Sequence, residues 1–97
     1  MMIDIKKNAE ETIIEIVGRL DTTTAPALEK TINEGIGEPK NLILDVKGLE
    51  YISSAGFRVL FGAQKKMLKI GTMVLKNVGA EIMEVFEITG FGELPTI

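Results

Sequence analysis

The side chains of this sequence rule out most covalent catalysis and leave one place suited to a regulated charge. There is no histidine and no cysteine, so neither a Ser-His-acid triad nor a thiolate nucleophile is available. Ser-Lys catalysis would need a lysine within hydrogen-bond reach of a serine. Lys65, the candidate for Ser54, lies about three turns further along the same helical pattern. Neither G-x-G-x-x-G nor G-x-x-x-x-G-K-[ST] occurs, so no glycine-rich phosphate cradle is expected and no cofactor is implied. The paired carboxylates Glu10-Glu11 and Glu84 with Glu87 read as solvated faces, and no metal-ligand spacing stands out.

What remains is Tyr51-Ile52-Ser53-Ser54-Ala55-Gly56-Phe57-Arg58-Val59-Leu60-Phe61, where a polar turn runs straight into an apolar helical pattern. A serine hydroxyl at a helix start accepts a hydrogen bond from a backbone N–H that has no partner inside the helix. Either Ser53 or Ser54 can fill that role. Projecting the segment at about 100° per residue from Ser54 places Gly56, Val59, Leu60, Ala63, Met67 and Ile70 in one arc on the far side, the expected core face. The serine side carries Arg58 and Lys65, but also Phe57, Phe61 and Leu68, so two phenylalanines are expected to flank an exposed serine. Two readings stay open: a cap alone, or a docking surface built around Ser54. A phosphate there would bring roughly −1.5 to −2 charges against the positive end of the helix dipole. The fold would tolerate it, while a partner docking on the rings would have to desolvate it or meet it with positive charge.

The elements that must position this stretch follow from pattern. Ile3 and Ile5 alternate with Asp4 and Lys6, and Thr12-Ile13-Ile14-Glu15-Ile16-Val17-Gly18 is rich in β-branched residues, predicting two strands joined by a short turn. Arg19-Leu20-Asp21-Thr22-Thr23-Thr24-Ala25-Pro26 gathers capping residues ahead of a proline tolerated in a first helical turn. Leu28, Ile32 and Ile36 recur at helical spacing until Gly35, Gly37 and Pro39 end the helix. The nearly continuous apolar run Asn41 to Val46 predicts a central strand covered on both faces. The serine helix is expected to end near Gly71, followed by a buried strand over Thr72 to Val78. A third helix spans Ala80 to Thr89 and is closed by Gly90. Phe91 to Ile97 is compatible with a last edge strand, where Pro95 is tolerable.

The order is β-β-α-β-α-β-α-(β), an α/β domain whose right-handed crossovers demand a mainly parallel or mixed sheet of four to five strands with helices packed against it. Functional loops in such folds lie beyond the carboxyl ends of the parallel strands. Leu20 to Thr24 and Gly48 to Ser54 qualify, and both carry hydroxyls. At 97 residues the chain, 1–97, makes a single domain. Its 45% apolar and 26% charged residues are ordinary for a soluble protein, no run is long and apolar enough for a membrane span, and its start carries no expected secretory signal. The lack of cysteine permits a reducing cytoplasm. A net charge of −3 with scattered basic residues argues against nucleic acid as a partner.

These segments resemble the STAS domains, the fold of anti-sigma factor antagonists. The resemblance is carried by Gly18-Arg19-Leu20-Asp21, by Leu44-Asp45-Val46 with Leu49 and Tyr51 to Phe57, and by Val85-Phe86-Glu87-Ile88-Thr89-Gly90-Phe91. It implies a non-enzymatic binding module that engages an anti-sigma factor with serine kinase activity and so frees a sigma factor. The kinase then phosphorylates the antagonist to end the complex, and a phosphatase resets it. By this similarity Ser54 is the phosphorylation site, with Ser53 as rival because it stands where the family often has aspartate. The implied partner surface comprises Asp21, Thr22, Thr23, Ser53, Ser54, Gly56, Phe57, Arg58 and Phe61. Phe57 falls where the family commonly exposes a leucine, and Arg58 where a small residue is common. The same fold also serves non-switching subunits of stressosome-like or transporter-associated assemblies, in which Ser54 would be a cap alone. Many members continue into a further helix where this chain stops, and its lack is expected to leave an apolar patch favouring self-association.

Overall fold

The computed structural model describes residues 1–35 and 41–89. Its elements run β1 (Met2–Lys7), β2 (Thr12–Leu20), α1 (Ala25–Gly35), β3 (Asn41–Ile52), α2 (Ser54–Met67), β4 (Thr72–Lys76) and α3 (Ala80–Thr89). The four strands form one mixed sheet in the order β1-β2-β3-β4, with β1 antiparallel to β2 and the other pairs parallel. The β-β-α-β-α-β-α order expected from pattern is therefore present. The expected last strand over Phe91 to Ile97, the cap at Gly90 and the helical position of Ile36 lie outside the described residues.

Asn8 makes the first turn, its side-chain oxygen accepting from the N–H groups of Glu10 and Glu11 at 2.8 and 2.9 Å. The crossovers β2-α1-β3 and β3-α2-β4 step the same way across the sheet, so one handedness puts both helices on one face. That face holds the core: Ile14, Ile16 and Leu20 of β2, Leu42, Leu44 and Val46 of β3, and Met73 and Leu75 of β4, closed over by Leu28, Ile32, Leu60, Met67 and Phe86. The opposite face is not covered by the described helices. On it Ile13, Ile43 and Val74 stand in register across three strands and are each half-buried. The expectation of a central strand covered on both faces is thus corrected: β3 is central, but among the described residues the helices close one face only.

A second correction concerns the length of β3. The run over Gly48 to Ile52, expected as a loop, continues the strand. Two irregularities carry it. Opposite Glu15 to Val17, and again opposite Gly18 to Arg19, β3 fits one residue more than β2 does, the signature of a β-bulge. Each bulge moves the inward-facing position by one, so burial passes from Leu42, Leu44 and Val46 to Leu49 and then Ile52. Gly18 meets the second irregularity with φ +104°, a backbone state that a Cβ penalises. β3 and β2 consequently reach the same level, Ile52 opposite Leu20.

Helix α2 also ends earlier than expected, at Met67, and turns through Leu68 to Ile70. Ile70, expected in the core arc, is consequently exposed.

Candidate functional site

Two chain segments leave the sheet side by side at the carboxyl ends of β2 and β3. They are tied where they leave it: the backbone N–H of Ser53 donates to the carbonyl of Leu20 at 2.9 Å. Just before this link Arg19 and Tyr51 are paired in register, and the Arg19 guanidinium lies 4.2 Å from the Tyr51 ring centre. Its Nε also stands 4.0 Å from Asp21 Oδ2. Motif reading assigned no role to this stack, because its signal is the strand register and not the spacing of residues in the sequence.

The Asp21 loop is built from its own hydroxyls. Asp21 Oδ1 accepts from the Thr23 hydroxyl at 2.7 Å, from the Thr23 N–H at 3.0 Å and from the Thr24 N–H at 3.2 Å. In return the Thr24 hydroxyl accepts from the Asp21 N–H at 2.8 Å and donates to the Arg19 carbonyl at 2.9 Å. These bonds favour the ionised carboxylate, that of the Thr23 hydroxyl most, and hold its pKa below the ordinary 3.8. Thr22 and Thr23 stay exposed beside it.

On the β3 side the two serines divide the work. Ser53 is the N-cap: its backbone is extended, φ −95° and ψ 175°, and its Oγ accepts from the Gly56 N–H at 3.4 Å. Ser54 is the first helical residue and is exposed, and its hydroxyl makes no hydrogen bond among the described residues. The open question of which serine caps is answered by the backbone, since a cap needs the non-helical conformation that Ser53 holds.

Gly56 is buried, as its place in the core arc of the projection requires and against its place in the partner surface the resemblance implies, and Phe57, expected on the serine side, is buried too. A Cβ on Gly56 would stand 2.7 Å from Leu20 Cγ and 2.9 Å from Ile52 Cγ1, so the glycine lets α2 settle directly on the two strand ends. Phe57 is 3% exposed and meets Phe86 of α3 edge-on, with ring centres 5.1 Å apart and planes at 63°. It lies about 60° round the helix from Ser54, at the margin that α3 covers. Of the expected phenylalanine pair, Phe61 is the exposed member, 37% accessible, with Lys65 Nζ 5.0 Å from its ring centre. Ser54, Arg58, Phe61 and Lys65 make the outward ridge of α2. Beside it a shallow groove of about 320 Å³ between the starts of α1 and α2 is lined by Thr22, Pro26, Glu29, Ala55 and Arg58 among others. The first turn of α2 contains no acidic residue, so the partial positive charge of its N-terminus is uncompensated from within the helix.

Fold and site together define a small α/β domain whose hydroxyl-rich loops gather at the carboxyl ends of a parallel strand pair. Residues 2–97 match the STAS domain family, and the chain belongs to it. It is similar to the anti-sigma-B factor antagonist of Bacillus subtilis strain 168, 27% identical over 93 residues that cover 95% of this chain and 85% of that protein. The crystal structure of an anti-sigma factor antagonist from Mycobacterium paratuberculosis superposes with a TM-score of 0.87 at 23% identity, over 98% of this chain and 83% of that one. The Bacillus cell fate determinant SpoIIAA in its phosphorylated form gives 0.79 at 20% identity, over 99% and 89%. These two likenesses establish the shared fold.

Two outcomes test this geometry. Ser53→Ala removes a cap whose bond is long and should cost about 0.5–1 kcal/mol, whereas Ser54→Ala should stay within about 0.5 kcal/mol of the parent. Urea midpoints at unchanged slope would show it, and the reverse order would contradict the assignment of the cap. For Asp21, a folded-state pKa below the unfolded one means that its stabilisation is present above about 3.8 and is lost as pH falls through the lower folded value. Carboxyl-carbon NMR titration should find Asp21 below 3.8 and Thr23→Ala should raise it; a value at or above 3.8 in the parent would refute the hydrogen-bonded loop.

Proposed function

We propose that this protein is an anti-sigma factor antagonist, a binding module that captures an anti-sigma factor and releases a sigma factor, and that phosphorylation of Ser54 turns it off. The observation that carries the reading is the division between the serines: Ser53 caps the helix, leaving the Ser54 hydroxyl exposed at the N-terminus of α2 with no hydrogen bond among the described residues. The Bacillus subtilis relative, an anti-sigma-B factor antagonist, supports the antagonist role, and the SpoIIAA structure in its phosphorylated form supports phosphorylation within this fold. The partner is an anti-sigma factor with serine kinase activity, which supplies the phosphate, and a phosphatase removes it. The chain itself performs no reaction, and the exchange takes place in the cytoplasm.

The binding surface in this reading consists of Asp21, Thr22 and Thr23 from one loop, Ser53 and Ser54 from the other, and Arg58 and Phe61 on the ridge of α2. Gly56 and Phe57 act from below, fixing the seat and tilt of the helix. A dianion at Ser54 is strongly hydrated, so a partner that closes over it loses affinity through desolvation. A difference of about 1.4 kcal/mol already weakens binding tenfold. The modification therefore works through the charge of the surface and leaves the fold in place.

The test is binding to the anti-sigma kinase of the same organism, located by gene neighbourhood and measured by calorimetry. Ser54→Ala should bind like the parent and take up no phosphate, while Ser54→Asp should bind at least about tenfold more weakly. Equal binding by the two variants would overturn the switch and favour constitutive assembly.

A further inference from the structure

Resting on the reading of Ser54 as the modified residue, we infer that Arg58 is the counter-ion in the same chain for phosphorylated Ser54, so that the modification adds negative charge and also withdraws a positive one. Arg58 lies four residues on, one turn along the same face of α2. Residues at that spacing have Cβ atoms about 5–6 Å apart. Helical side chains lean toward the N-terminus, over the turn that precedes them, which for Arg58 is the turn opened by Ser54. Its groove neighbours agree, because Thr22, Pro26 and Ala55 all belong to that end.

Arg58 is exposed and makes no ion pair among the described residues. The described elements that adjoin α2 carry charged groups, α3 among them with Glu81, Glu84 and Glu87. Arg19 and Asp21 stand at the end of β2 and in its loop, Glu29 on α1, and Arg58 on α2 itself. Arg19 is stacked on Tyr51 and faces Asp21. Glu29 shares the groove with Arg58 without pairing to it. Asp21 is ionised and repels a second anion. Among the described residues, Arg58 is a cation without an ion pair one turn from Ser54, and its planar fork matches the oxygens of a phosphate there. While Ser54 is unmodified the guanidinium stands on the ridge, free to meet an acidic side chain of the partner. Once phosphate is present the same guanidinium is held within the chain.

The test uses protein with phosphoserine installed at position 54 by genetic encoding, which needs no kinase. Phosphorus NMR follows the second ionisation of the phosphate, ordinarily near pKa 6. In the otherwise unchanged protein it should titrate lower than in Arg58→Gln by about half a unit or more, with Arg58→Lys in between. Lys65→Gln, further along the ridge, should match the parent. Equal values in parent and Arg58→Gln would overturn the assignment, as would an equal rise in Lys65→Gln. The two proposals fail separately. An unshifted phosphate removes the role of Arg58 and leaves Ser54 a switch, whereas a kinase that ignores Ser54 removes the switch and leaves the titration result standing.

Discussion

The bond from the Ser53 N–H to the Leu20 carbonyl, 2.9 Å long, is the constraint on which the site depends. It closes the parallel pairing of β2 and β3 at the point where both strands end, so the two loops begin from one fixed baseline. The Asp21 loop then turns back on its own hydroxyls, and Ser53 starts a helix within one residue. No flexible linker separates the sheet from either functional segment. In the proposed reading a partner meets a surface whose geometry is settled before binding, which lowers the ordering cost of association.

Packing beneath the surface decides which side chains reach it. Gly56 has no Cβ to hold α2 away from Leu20 and Ile52, and Phe57 is drawn under α3 by Phe86. With those two positions facing inward, Ser54, Arg58 and Phe61 face outward. The arrangement puts an exposed hydroxyl, a cation and a ring on one ridge, at the positive end of a 14-residue helix with no acid in its first turn. In the proposed switch, charge added there acts at short range, in front of the partner, and the core beneath need not change.

Much of this was legible in the sequence. The strand and helix order follows from β-branched runs and helical spacing, and the serine pair at a helix start follows from capping chemistry. Three features were hidden for physical reasons. The continuation of β3 through Gly48 to Ile52 looked like a loop because two bulges each break the two-residue period that marks a strand. The burial of Phe57 could not be read from the projection of α2, since a residue about 60° from the exposed axis goes in or out according to which neighbour covers that flank. Here the neighbour is α3, far along the chain. The Arg19–Tyr51 stack was hidden likewise, being a product of strand register.

In the proposed switch Ser53 holds the helix while Ser54 carries the signal. Peptide mass spectrometry on the protein isolated from its native cells across growth conditions, with phosphate mapped to the residue, tests it most directly. Phosphate is expected on Ser54 in part of the population, varying with condition, and none on Ser53. Phosphate on Ser53, or no phosphate on either serine in any condition, would contradict it.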